Sequence, residues 1–403
     1  IVIREFVSNL FFNTALGNGF YYNLNQVGLI YLGLISLIAI VLYRLNEKIN
    51  LRILYLFCFL LSSIATFNVL RYLPYGGDAA IYCELTTFSK NSGISIYNTS
   101  FKYTFNYPPI FENILNYLCT FNYEENYYFY SIGFGIFLAI LSKKQGKNIF
   151  LFSIYFLGSF LGLRWSLKTG NFVFLELIFL TLFVVNYKKN NPISYLFLIL
   201  FGFQRLWYLL LVPVFLFFDR DKSLKKFQLI FISSFFLILL NFNNLLIYLT
   251  SLLPSGEGYS IFKEPPGHNT PSIYIGLVKA LNLSPSLITL LVYLLVSFGF
   301  LFLFMRNKSL SREVVAAVLI CSLILLNPYL KPYHFIFFTP LLLLIKDSYL
   351  TNTKSMLLSI AYPSFFWIVA SNLSVGTLTG YFQTVFFGLF VFNLVQLDLV
   401  RND

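Results

Sequence analysis

Asp78 follows the turn pair Gly76-Gly77, and Ile81, Leu85 and Phe88 then recur at helical spacing. A carboxylate in that position has two compatible readings. It is an N-cap accepting orphan backbone N–H groups, or it is a general base fixed in direction where a helix begins. A second set of ionisable residues lies within or beside apolar runs: Arg164 and Lys168 in GLRWSLKTGNFVF, Glu176 after them, Arg205, and Lys331 and His334 in LNPYLKPYHFIFF. Charges at such places are costly and point to function. If Arg164, Lys168, Arg205, Lys331 and His334 converge on one level, they form a receptor for a phosphate or pyrophosphate group. The competing reading lets Arg164 and Lys168 snorkel to headgroups while Glu176 pairs with one of them. His268, in a Gly-His-Asn turn, reads equally as plain loop.

The elements that must position these groups are membrane helices. The 403 residues are 58% hydrophobic and only 11% charged, with 49 Phe and 29 Tyr, and the mean hydropathy is +0.74. That composition excludes a water-soluble enzyme, a nucleic-acid binder and a disordered chain. Apolar runs fall near 27–43, 53–70, 127–141, 149–163, 172–187, 227–249, 286–304, 313–327, 333–345, 355–370 and 380–397. The expected fold is therefore all-α and polytopic, a single membrane domain of about eleven spans. The net charge of +12 comes from 28 Lys+Arg against 16 Asp+Glu. Its basic clusters lie between the runs: Arg44/Lys48/Arg52, Lys143/Lys144/Lys147, Lys188/Lys189, Arg220/Lys222/Lys225/Lys226, Arg306/Lys308/Arg312 and Lys346/Lys354. They mark the cytoplasmic side. Segment 193–218 has basic clusters on both flanks, so it reads as a re-entrant hairpin broken at Gln204-Arg205.

This topology leaves two long extracytoplasmic segments, 71–126 and 250–285, where chemistry is to be sought. In the first, Tyr107-Pro108-Pro109 forces an extended entry into a helix. Ile110, Phe111, Ile114, Leu115 and Leu118 give that helix an apolar stripe, as for a helix lying in the membrane interface. Cys83 and Cys119 share this segment, and their spacing leaves pairing open; Cys58 and Cys321 sit in apolar runs as small hydrophobes.

Taken together, several features resemble a known family: the glycine-flanked Asp78 after an early span, Phe105-Asn106-Tyr107-Pro108-Pro109 some thirty residues on, Gly170-Asn171 opening a helix, and Pro328 ahead of His334. The chain is similar to the integral-membrane GT-C glycosyltransferases, most closely the polyprenyl-phosphate-mannose-dependent mannosyltransferases of glycosyltransferase family 87. The resemblance covers roughly residues 65 to 345. It implies that Asp78 is the catalytic acidic residue of the first outer loop and that Gly170-Asn171 stands for the family's Gly-Gln pair. It also implies that Gln204-Arg205 replaces a common Lys-Pro pair, and that Asn327-Pro328 and Lys331 replace the usual Ser-Pro and Trp of the late segment.

The expected activity is inverting transfer of a hexose, mannose first, or a pentose from a polyprenyl-phosphate donor to a glycan or lipid-linked acceptor on the extracytoplasmic face of the cell membrane. The donor phosphate is expected at Arg164, Lys168, Arg205, Lys331 and His334, and the substrate pocket at Tyr107, Pro108, Asn171, Glu84 and His268. No metal, cofactor or nucleic acid is expected, and the oligomeric state stays open. Two alternatives remain: an O-antigen-type polymerase or ligase, and a transporter or flippase for lipid-linked or anionic substrates.

Overall fold

The computed structural model describes residues 51–72, 76–94, 96, 107–160, 162–218, 224–251, 271–283, 286–306, 310–372 and 376–402. The first apolar run, 27–43, and His268 lie outside them. Every regular element among the described residues is helical, and no strand occurs there. In chain order the helices are α1 (Leu51–Tyr72), α2 (Gly77–Ser92), α3 (Pro109–Thr120), α4 (Tyr123–Lys144), α5 (Ile149–Gly158) and α6 (Gly162–Thr169). Then follow α7 (Val173–Lys188), α8 (Ser194–Gln204), a 3-10 turn (Leu206–Leu210) running into α9 (Leu211–Phe218), α10 (Leu224–Ser251), α11 (Ile273–Ala280) and α12 (Leu287–Arg306). The chain continues with α13 (Arg312–Leu325), a 3-10 helix (Pro332–Leu343), short α14 (Asp347–Leu350) and α15 (Thr353–Met356), a π turn (Leu357–Ala361), α16 (Tyr362–Asn372) and α17 (Gly376–Asn402).

Among the described residues two helices are long and apolar enough to cross a membrane, Ile288–Met305 and Tyr381–Arg401; α5 and α6, bent by 66°, make a third if they form one broken span. Apolar side chains such as Phe231, Ile288, Leu295 and Phe300 stand exposed on the outside of the bundle, a surface that water does not suit. The core lies among α7, α8, α13 and the 3-10 helix Pro332–Leu343, where Phe183, Leu198, Leu319 and Phe337 are fully buried. Gly162 lets α6 cross this 3-10 helix backbone to backbone, because a Cβ there would collide with the Ile336 backbone.

Among the described residues, Lys147, Lys226 and Arg312 of the basic clusters lie at one end of the bundle. The Arg312 guanidinium lies 4.1 Å over the Tyr187 ring at the end of α7. Ser311 N–H donates to Asp398 Oδ2 at 2.6 Å, and the Tyr349 hydroxyl donates to Asp398 Oδ1 at 2.7 Å. Two residues before Tyr349, Asp347 pairs with Lys147 at 3.5 Å. The start of α8 belongs to the same end, and Lys226 at the start of α10 sits 5.8 Å over the Tyr195 ring. The chain between them therefore runs out and returns. Its turning point is Arg205, an extended residue (φ −144, ψ 101) that stops α8. α7, 16 residues long, connects the two ends over about 24 Å.

One sequence expectation changes here. The stripe of α3 faces protein: Phe111, Leu115 and Leu118 are buried in the core, because α2, α4, α8 and α10 pack around the helix. In α2 the buried face is Ala79, Tyr82, Cys83, Leu85 and Thr86, and Phe88 is exposed. Cys83 and Cys119 form a disulfide that ties α2 to α3.

Candidate active site

Asp78 is not an N-cap. Gly76, in the left-handed region, caps α2 without a side-chain bond, and Asp78 is the second residue of the helix. That place frees its carboxylate to leave the helix while the first-turn N–H groups still favour a negative charge nearby. The start of α2 is held by the end of α6. Gly76 N–H donates to the Lys168 carbonyl at 2.9 Å, and the Tyr127 hydroxyl donates to the same oxygen at 3.1 Å. Gly170 then turns the chain at φ +72, where a Cβ would stand 2.7 Å from that of Ala79, so only glycine lets the two backbones meet. The turn delivers Asn171, whose Nδ2 donates to Asp78 Oδ2 at 3.1 Å. Val173 N–H donates to Asn171 Oδ1 at 3.3 Å, which fixes the amide this way round. The Thr169 hydroxyl also hydrogen-bonds the Asp78 carboxylate.

From Asn171 the network crosses to α8. The same Nδ2 lies 3.1 Å from the Tyr82 hydroxyl and 3.2 Å from that of Tyr107, and the two hydroxyls are 2.8 Å apart. Tyr107 is placed by Pro108, an extended residue (φ −61, ψ 158) ahead of Pro109 at the first turn of α3. Arg205 Nη2 donates to the Tyr107 hydroxyl at 3.3 Å. Its Nε donates to both Glu176 oxygens, at 2.9 and 2.7 Å, and its Nη1 meets His334 Nε2 at 2.9 Å. The guanidinium also lies 4.8 Å from the Tyr107 ring centre and 5.2 Å from that of Tyr333, a cation between two aromatic faces.

Electrostatically, burial raises the Asp78 carboxyl above the usual carboxylate range. Hydrogen bonds from Thr169 and Asn171, and the Lys331 and Arg205 charges, pull it back down. Burial likewise pushes the Tyr82 and Tyr107 hydroxyls up, so both stay protonated as donors. A carboxylate raised by burial is a better proton acceptor than an ordinary one.

The structure thus brings together Asp78, Tyr107, Asn171, Arg205 and His334, with Lys331 in electrostatic reach of Asp78. Pro108 is buried beside them as a positioning residue, and Lys168 is buried, with its carbonyl holding the start of α2. Three expectations are corrected. Arg164 is turned away: its Nη2 donates to the Gly158 carbonyl and to Ser364 Oγ at α16. Glu84, six residues past Asp78 on a helix, faces the opposite way and lines a surface groove of about 650 Å³ with Glu124, Thr87 and Asn91. Glu176 pairs with Arg205, not with Arg164 or Lys168. Sequence reasoning missed Tyr82, although it stands four residues after Asp78 and so shares its helical face. Thr169 and Tyr333 had no local signal. Among the described residues no group of three His, Cys, Asp or Glu side chains is placed to hold a metal ion. No family model, no curated protein and no solved structure matches the chain.

Proposed function

We propose that the chain is a multi-pass membrane glycosyltransferase of the inverting kind, moving a sugar, mannose first, from a polyprenyl-phosphate donor to a hydroxyl acceptor. The observation that carries this reading is Asp78, a carboxylate raised by burial, aimed by Asn171 and Thr169, with the Lys331 and Arg205 charges nearby. In the reaction an acceptor hydroxyl attacks the anomeric carbon, and its proton passes to Asp78. The bond to the phosphate oxygen breaks on the opposite face, and its electron pair leaves with the polyprenyl phosphate. The Lys331 and Arg205 charges stabilise that departing charge.

The difference between the two ends of the bundle supports a sidedness. The positive-inside bias favours the basic end facing the cytoplasm, and in this reading Asp78 faces the extracytoplasmic side. A disulfide beside Asp78, Cys83–Cys119, agrees with an oxidising compartment. In this reading α8 and α9 form a re-entrant hairpin whose tip, Arg205, stops at membrane depth.

The test is to incubate purified protein in lipid with a panel of polyprenyl-phosphate sugars and measure release of polyprenyl phosphate. Release from one donor, abolished in folded Asp78→Asn, is the expected result; undiminished release in that variant removes the base. One observation favours a second reading, a transporter of anionic or lipid-linked substrates: a buried ion pair at a broken helix, Arg205 with Glu176. Vectorial movement of solute in sealed proteoliposomes without any sugar transfer would select it.

A further inference from the structure

His334 sits among donors only. Its Nδ1 faces the backbone N–H of Lys331 at 3.1 Å and the Asn327 Nδ2 at 3.3 Å. The Asn327 amide is itself oriented, because its Oδ1 accepts from Tyr329 N–H at 2.9 Å. On the other side Nε2 faces Arg205 Nη1 at 2.9 Å. A neutral imidazole has one lone pair and one N–H, so it can accept on one side only. The imidazolium would face donors on both sides.

Which side wins is decided by what can move. The Lys331 N–H belongs to the backbone at the start of the 3-10 helix Pro332–Leu343. It cannot turn away without moving the backbone itself. Arg205 Nη1 belongs to a side chain, which keeps Nε on Glu176 and can shift by giving up the long 3.3 Å bond from Nη2 to the Tyr107 hydroxyl. Nδ1 is therefore the acceptor and the proton sits on Nε2. That leaves Nε2–H and Nη1–H pointing at one another, two donors converging with no acceptor between them.

We infer that Arg205 Nη1 and His334 Nε2 form a two-donor slot for one oxygen of a phosphate, with His334 acting as a neutral donor. An oxygen accepting from both requires the two nitrogens to part, and the guanidinium is the partner that moves. The imidazole stays fixed by Lys331 and Asn327. The gain on binding is the removal of a donor–donor contact as well as two new bonds to an anionic oxygen. This rests on the proposed function for the identity of the phosphate, a polyprenyl monophosphate, but the slot requires only the anionic oxygen.

The test is nitrogen-15 NMR of the histidine rings in the full chain in lipid nanodiscs, titrated with a polyprenyl monophosphate. The chain has only two histidines, and loss of one ring's signals in His334→Gln assigns His334. Free protein should show the Nε2–H form, and phosphate should shift Nε2 while leaving Nδ1 an acceptor. His334→Gln puts an amide N–H near the Nε2 position and should bind within about threefold of wild type, whereas His334→Asn cannot reach and should weaken binding about tenfold or more. An Nδ1–H ring, or wild-type affinity in His334→Asn, overturns the slot. Sugar transfer without any phosphate-induced Nε2 shift sinks the slot and leaves the function standing. A shift with no sugar turned over from any donor does the reverse.

Discussion

Asn171 Nδ2 stands 3.1 Å from Asp78 Oδ2 and 3.2 Å from the Tyr107 hydroxyl, so one amide joins the carboxylate to the arginine side of the site. The bond to Asp78 favours its charged form. Asn171→Ala removes that bond, so the Asp78 carboxyl moves further up, and the acid limb of the activity–pH profile moves up with it. A hydrogen bond to a charged group is worth about 1.5–3 kcal/mol, so transfer at neutral pH should fall roughly 10- to 100-fold. Asn171→Gln restores an amide and should recover part of the rate. An acid limb that stays where it is in Asn171→Ala would separate the amide from the base.

The raised Asp78 carboxyl also makes a stability claim. A carboxyl that titrates higher in the folded than in the unfolded chain binds its proton more tightly when folded. Its penalty is absent below the unfolded range, near pH 4, and complete above the folded one. Asp78→Asn should therefore melt above wild type at pH 7 to 8, with the difference closing as the pH falls to about 4. Thermal melts across that pH range in detergent check the sign: a variant less stable than wild type at neutral pH contradicts it.

Much of this site is legible in the residues themselves. Asp78, Tyr107, Asn171, Arg205 and His334 stand out by type, and the stop at Gln204-Arg205 follows from needing basic residues on one side of the bundle. What failed did so for tertiary reasons. The partner of Glu176 lies 29 residues away on the tip of another helix pair, a distance that no local spacing encodes. Arg164 sits one helical turn from Lys168, yet its guanidinium turns to α16. The α3 stripe reads equally well as facing lipid or protein, because both are apolar.

Arg205 and Glu176 are buried together, with side chains 14% and 0% exposed. Breaking such a pair leaves one uncompensated charge, which costs about 3–5 kcal/mol. Glu176→Gln should therefore lower stability more than the double variant Glu176→Gln/Arg205→Met, which removes both charges. A double-mutant cycle by thermal unfolding reads the coupling. Additive losses would mean that the two residues do not depend on one another.

The Cys83–Cys119 bridge closes 36 residues of chain and fixes α2, which carries Asp78, to α3, which follows Tyr107. Closing a loop of that length contributes about 3–4 kcal/mol in the chain-entropy account. The Cys83→Ser/Cys119→Ser protein should melt lower and lose transfer activity, and reductant should reproduce both effects in wild type. Labelling of free thiols before and after reduction confirms the bridge. Unchanged melting on reduction would show that the helices are held without it.

Gly170 is the sharpest test of how α2 and α6 are coupled, because it acts without touching any charged group. Its φ of +72 and the 2.7 Å approach of a would-be Cβ to Ala79 leave no room for a side chain. Gly170→Ala must either bear the left-handed conformation, at about 1–2 kcal/mol, or push α2 away from Asn171. The second course lengthens the Asn171–Asp78 bond and should reproduce the raised acid limb of Asn171→Ala in a protein whose ionisable groups are all intact. Adding Ala79→Gly to Gly170→Ala removes the methyl that the new Cβ meets, so part of the activity should return. If the double variant is no better than Gly170→Ala, the loss comes from backbone strain or from the Tyr127 ring, 3.0 Å from the would-be Cβ, and the approach of α2 at Ala79 does not set the carboxylate's geometry.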